Sequence, residues 1–305
     1  MVTVRLWRYV LIVACVALTS LDASGAERVH FRRLTTIYTD ETKDVALKNP
    51  EGVACNTAST LIVGDTGNGR LLRYTVENRA VRSAGEIRAP ELTYPIRVQM
   101  NSKGDIFALD GKQRRIARFA AGGQFKGYVT PEGAPSATTI IPRSFKIDRD
   151  DNIYILDIFS ARVLVLGPEG KFQREMEFPK AYGFFSDLAV DFKGTIFLLD
   201  STKAMVFVAA KDAKAFTPLT QSLREHLSFA TYLTTDSRGV LYLVDQNGAG
   251  VVILGQDGSF LGRQLAMGWT EGLLYYPSQI CLNEKDEMFI ADQGNSRVQV
   301  FSIVR

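Results

Sequence analysis

Histidine is nearly absent: the chain of 305 residues carries 2, His30 and His226. One lies in an N-terminal β-run and the other in a loop, so a multi-histidine metal site cannot be assembled. Cysteine is almost as scarce, with 3 residues at positions 15, 55 and 281, and no Cys-x-x-Cys-His run occurs, which removes haem attachment. Gly-x-Ser-x-Gly and the glycine-rich phosphate loop are also missing, which removes common serine hydrolases and nucleotide binding. A net charge of +3 from 36 basic and 33 acidic side chains gives no field for nucleic acid or an anionic membrane. No apolar run approaches the roughly 20 residues that span a bilayer.

The one compact apolar run, Tyr9 to Leu18, follows Arg5 and Arg8 and precedes Ser24-Gly25-Ala26. A basic start, an apolar stretch and a small-residue site read as an export signal over 1–26. Cleavage near Ala26 leaves 27–305 as one domain, expected as a periplasmic or secreted monomer. Cys15, after Ile12-Val13-Ala14, offers a lipoprotein box as the alternative.

What is present is a repeat. Six β-branched or aromatic runs end in an aspartate, at Asp65, Asp110, Asp157, Asp200, Asp245 and Asp292, spaced 45, 47, 43, 45 and 47 residues apart. Nine residues before each stands an Asn or Asp: Asn56, Asn101, Asp148, Asp191, Asp236 and Asn283. Between the two lie turns such as Ser102-Lys103-Gly104, where glycine takes a conformation other residues avoid. One strand precedes this hairpin and two follow it, and four strands per roughly 45 residues is a propeller blade. The reading is therefore all-β: a six-bladed β-propeller with four antiparallel strands per blade. The last repeat ends one strand short, while Val29 to Ile37 has no blade of its own. That N-terminal strand is expected to complete blade 6 and remove its open edge.

The segments resemble the NHL-repeat family. Pro277 to Phe301 carries the pattern best, in Phe289-Ile-Ala-Asp292-Gln-Gly-Asn295-Ser-Arg297-Val-Gln-Val-Phe301; Pro50 to Tyr74 is next, with Asp65, Asn68 and Arg70. Blades 2 and 3 keep Asp110 with Arg115 and Asp157 with Arg162, whereas Met205 and Gly250 replace the arginine in blades 4 and 5. The resemblance implies the fold; its members are binding platforms, RNA-binding domains and, less often, lyases. The six aspartates recur once per blade, so they read as structural acceptors for nearby turns and for the arginine five residues on, not as a metal cluster.

Along each first strand, the fourth residue before the Asn/Asp is Gly52, Arg97, Ser144, Asp187, Tyr232 or Gln279, and the second is Ala54, Gln99, Lys146, Ala189, Thr234 or Cys281. The third is always apolar: Val53, Val98, Phe145, Leu188, Leu233 and Ile280. Strand alternation then sends the polar sets to the central channel and the apolar set to the core. Cys281 falls in a channel set and Cys55 one step out of it, so the two are expected to face apart as unbridged thiols.

The loops entering each blade are long and aromatic, and a binding face is expected where they meet the channel mouth. Its candidate residues are Arg97, Lys146, Asp187, Tyr232, Gln279, Tyr94, Arg143, Phe185, Trp269 and Tyr276. The main expectation is a non-catalytic exported protein presenting this face to a protein, peptide or glycan partner, with no cofactor, no metal and no nucleic acid. The alternative is a propeller enzyme, a lyase or lactonase-like hydrolase, with its site at that mouth. Amidating and streptogramin lyases of similar architecture use histidines, which are lacking here. Lactonase-like propellers hold a divalent metal by Glu, Asn and Asp, and the channel positions above offer one acid, Asp187.

Overall fold

A computed structural model describes residues 29–40, 45–56, 59–77 and 80–305, and contains six four-stranded antiparallel sheets and one short hairpin. The segment 1–26 read as an export signal, with Cys15, lies outside the described residues. Blade 1 runs through Gly52–Cys55, Thr60–Asp65, Arg70–Glu77 and Ala80–Ile87, and blades 2 to 5 repeat that order. Their inner strands are Pro95–Met100, Pro142–Ile147, Phe185–Val190 and Ala230–Thr235; that of blade 6 is Pro277–Leu282. Inner strands of successive blades pack side by side, and blade 6 packs against blade 1 to close the ring. Closure comes from the N-terminal strand: His30–Ile37 pairs antiparallel with Arg297–Val304, from His30 opposite Val304 to Ile37 opposite Val298.

The apolar third positions explain why the sheets assemble face to face. Val53, Val98, Phe145, Leu188, Leu233 and Ile280 are all buried, and they feed six hydrophobic clusters, one between each pair of neighbouring blades. Burying this surface is the main driving force for the ring.

Each repeat aspartate ties down the loop entering its own blade. Asp65 Oδ1 accepts the Lys48 N–H at 2.7 Å, Asp110 that of Thr93 at 2.6 Å, and Asp157 that of Ile141 at 3.0 Å. Asp200, Asp245 and Asp292 do the same for Gly183, Ser228 and Tyr275. The expected arginine pairs form at Asp65–Arg70, Asp157–Arg162 and Asp292–Arg297, with N–O distances of 2.7, 3.1 and 2.6 Å. Asp110 departs from this pattern. Arg115 lies over the Tyr128 ring at 3.5 Å, and Asp110 gathers four backbone N–H groups, from Thr93, Tyr94, Lys112 and Gln113. In blade 5, where Gly250 replaces the arginine, Arg263 of the outer strand reaches Asp245 at 2.8 Å.

The expectation of unbridged thiols is corrected: Cys55 and Cys281 form a disulfide, with Cα atoms 5.9 Å apart. Opposite faces forbid a bridge within one sheet. Across the gap between two neighbouring blades, however, it is opposite faces that look at each other. Cys55 of blade 1 and Cys281 of blade 6 satisfy that condition where the ring closes. Cys281→Ser is expected to lower stability by about 2–4 kcal/mol, since the bridge closes a loop of most of the chain. Denaturant unfolding with and without reductant checks this; coincident curves would mean that the bridge contributes nothing.

Candidate active site

The first strands of blades 2 to 6 share an irregularity that positions the site. Their pairing shifts by one residue between Pro95 and Arg97, Pro142 and Ser144, Phe185 and Asp187, Ala230 and Tyr232, and Pro277 and Ile280. A bulge of this kind re-aims the side chain beside it. The fifth residue before the repeat Asn/Asp thus leaves strict alternation in blades 2 to 6, while in blade 1, whose pairing runs from Gly52 to Cys55 without a shift, it stands just ahead of the strand. These fifth positions are Glu51, Ile96, Arg143, Ser186, Thr231 and Ser278.

Below this tier, the fourth positions meet across the axis as a closed, buried plug. Asp187, 0% exposed, accepts hydrogen bonds from the Ser144 hydroxyl and from Leu233 N–H, the latter at 2.9 Å. Lys146 Nζ stands 3.5 Å from Asp187 and 3.6 Å from the centre of the Tyr232 ring. Gln279 of blade 6 reaches past blade 1 to blade 2, accepting from Val98 N–H at 3.1 Å and donating to Val98 O at 2.7 Å. Gly52 makes room for this, because a Cβ there would lie 2.6 Å from the Val98 side chain. Arg97, 7% exposed, rises to the upper tier: Nη1 donates to Ile96 O and Ser278 Oγ, and Nη2 to Thr231 O at 3.2 Å.

The upper mouth holds the chemically notable group. Glu51 opens blade 1; its Oε1 accepts from Gln293 Nε2 at 3.2 Å. Burial pushes its carboxyl above the ordinary 4.5, while the positive charges of Arg97 and Arg143 pull against that rise. Arg143 is half-buried with its guanidinium 5.3 Å from the Phe184 ring. Burial and the charge of Arg97 lower its pKa, against the raising influence of Asp187 and Glu51. The Tyr94 phenol is raised, first by burial and then by the Glu51 charge. A half-buried carboxyl with a raised pKa, within electrostatic reach of two guanidinium groups and a phenol, is equipped to take and return a proton beside a developing negative charge.

Of the residues expected at the mouth, Arg97, Lys146, Asp187, Tyr232 and Gln279 do converge, but as a buried plug, in which Lys146 pairs with Asp187 and lies over the Tyr232 ring, with only Arg97 reaching upward. Tyr94 and Arg143 stand at the mouth with Glu51. Phe185 does not: 1% exposed, it packs among Phe178, Tyr182 and Phe207 between blades 3 and 4. Trp269 and Tyr276 are 73% and 46% exposed and lie on the loop entering blade 6. Strict alternation hid Glu51, which is one residue past the fourth position. Below the plug, the channel opens at its opposite end as a cavity of about 650 Å³, lined by the repeat Asn and Asp side chains and the disulfide.

A divalent metal of the lactonase kind does not fit these residues. Among the described residues no group of three His, Cys, Asp or Glu side chains could hold one. Asp187 is engaged by Ser144, Leu233 and Lys146. Three cationic side chains, Arg97, Lys146 and Arg143, outnumber the acids Glu51 and Asp187 around the axis. Nor can histidine serve: His226 stacks on Phe260 at 3.7 Å and His30 sits in the closing strand.

No protein-family model matches the chain, and no curated protein matches it by sequence. Solved structures do match. A gluconolactonase of Xanthomonas campestris is 16% identical with a TM-score of 0.64, over 92% of this chain and 97% of that one. A virginiamycin B lyase of Staphylococcus aureus is 11% identical with a TM-score of 0.60, over 90% and 100%. The aldose sugar dehydrogenase of Streptomyces coelicolor, solved with PQQ, is 14% identical with a TM-score of 0.64, over 91% and 99%. At such identities the likeness establishes the six-bladed propeller fold. It also corrects the expectation of a non-catalytic binding protein: all three of these propellers are enzymes, in line with the propeller-enzyme alternative.

Proposed function

We propose that the protein is an exported propeller hydrolase that opens cyclic esters at the upper channel mouth, with Glu51 as its general base. The observation that carries this reading is Glu51 itself, a half-buried carboxyl bonded to Gln293, raised in pKa by desolvation and within electrostatic reach of Arg97, Arg143 and Tyr94. The lack of any histidine at the axis supports ester hydrolysis over a histidine-dependent lyase step. The blade pattern supports the NHL-type label as a description of the repeat. Export over 1–26 is supported by the Cys55–Cys281 bridge, since disulfides persist in oxidising compartments.

In this reaction the Glu51 carboxylate takes a proton from water as the water oxygen bonds to the ester carbonyl carbon. The oxygen that becomes negative is stabilised by a hydrogen bond from the Tyr94 phenol, which stands within electrostatic reach of Glu51. Collapse breaks the ring carbon–oxygen bond, and the departing alkoxide takes the proton back from Glu51, leaving an open hydroxy acid. Release of acid from a panel of sugar lactones and cyclic depsipeptides, followed by pH-stat titration, tests the reading. Turnover of a lactone is expected; hydrolysis of none of them would contradict it.

A further inference from the structure

Two guanidinium groups within electrostatic reach of each other, without a carboxylate in contact, are a feature the hydrolytic step alone does not require. Arg97 is 7% exposed, and its Nη atoms bond only to neutral oxygens, Ile96 O, Ser278 Oγ and Thr231 O. Its Nε has no hydrogen-bond partner among the described residues, and neither does the buried Thr231 Oγ1 on the same tier. A buried cation and a buried hydroxyl left unpaired cost several kcal/mol and call for a partner. Arg143 faces the same space from blade 3, against Phe184, and interacts with Glu51 and Asp187 through space, not by contact.

The charge balance narrows the partner. Lys146 is matched by Asp187 at 3.5 Å. Glu51, when ionised, offsets one of the two arginines, which leaves a single positive charge at the mouth. One monoanionic group balances it; a phosphate dianion overshoots. The planar fork of a guanidinium also suits the two oxygens of a carboxylate.

From this geometry we infer that the substrate carries a free carboxylate, seated on Arg97, Arg143 and the Thr231 hydroxyl while Glu51 serves the ester. The inferred class is lactones that bear a free carboxylate, in preference to neutral lactones, with the sugar lactones below as probes. The inference rests on the hydrolase reading for its ester, but not for its anion.

The test pairs kinetics with binding. In kcat/KM, the monolactone of glucaric acid is expected to exceed neutral gluconolactone at least about tenfold, the effect of one charge-assisted hydrogen bond. In Arg143→Gln that ratio is expected to fall toward one, and in Arg143→Lys to recover in part. By calorimetry, open-chain glucarate is expected to bind the wild type and Glu51→Gln, and to bind Arg143→Gln at least about tenfold more weakly. A preference that persists in Arg143→Gln overturns the inference, as does tighter binding of glucose 6-phosphate than of glucarate. Glucarate binding without turnover of any lactone would sink the hydrolase reading and leave the anion site standing. Lactone turnover without glucarate binding would do the reverse.

Discussion

Glu51→Gln is expected to cut lactone hydrolysis about 10²- to 10⁴-fold, the range lost when a general base is removed, while the propeller stays folded. The substitution keeps the shape of the side chain and its contact with Gln293, and deletes the group that accepts a proton. The wild-type pH profile carries a second signature. Burial raises the Glu51 carboxyl above 4.5, so the basic form is populated, and the rate rises, at a higher pH than for an ordinary glutamate. Stability moves the other way. The folded chain holds this proton when the unfolded chain has released it, so the Glu51 contribution declines as pH climbs from 4.5 through the folded pKa. Glu51→Gln is thus expected to unfold at a higher temperature than the wild type at neutral pH, with a gain that shrinks in acid. A variant that keeps wild-type kcat/KM would remove Glu51 from the chemistry.

Asp187→Leu is expected to cost about 3–5 kcal/mol of folding stability, the penalty for breaking one half of a buried ion pair. The carboxylate is 0% exposed. Without it the Lys146 ammonium keeps only the Tyr232 ring at 3.6 Å, and the Leu233 N–H and Ser144 hydroxyl lose their acceptor. A domain of marginal stability holds about 5–15 kcal/mol in all, so this is a large share. Adding Lys146→Met to Asp187→Leu removes the orphaned charge, and most of the loss is expected to return. Urea unfolding of the wild type, the single variants and the double variant measures the coupling. A single-variant loss under about 1 kcal/mol would mean that the pair behaves as an exposed salt bridge and that the plug is open to water.

Much of the architecture was legible because propellers write their geometry periodically. The spacing of Asp65, Asp110, Asp157, Asp200, Asp245 and Asp292 reports the blades, and each of these carboxylates fastens the loop entering its blade. The unpartnered strand at His30–Ile37 reports the closure. The readings that failed did so where a neighbour, not the chain itself, decides the outcome. Cys55 and Cys281 obey opposite registers because facing blades present opposite sides to each other. Arg115 abandons Asp110 for the Tyr128 ring, an option that no spacing within the repeat reveals. Glu51 was missed because the inner strand of blade 1 begins at Gly52, one residue after it, and the bulges beside Arg97, Ser144, Asp187, Tyr232 and Ile280 break strict alternation at that place in the other five blades. Those bulges come from pairing between strands, and local sequence carries only their mark: a residue out of phase just before each channel position.

A crystal structure of Glu51→Gln soaked with lactone tests the assignment of the site most directly. The ester carbonyl is expected beside residue 51, at the end of the channel that holds Tyr94 and Arg143. Density only in the cavity of about 650 Å³ at the other end, beneath the Lys146–Asp187 plug, would contradict it.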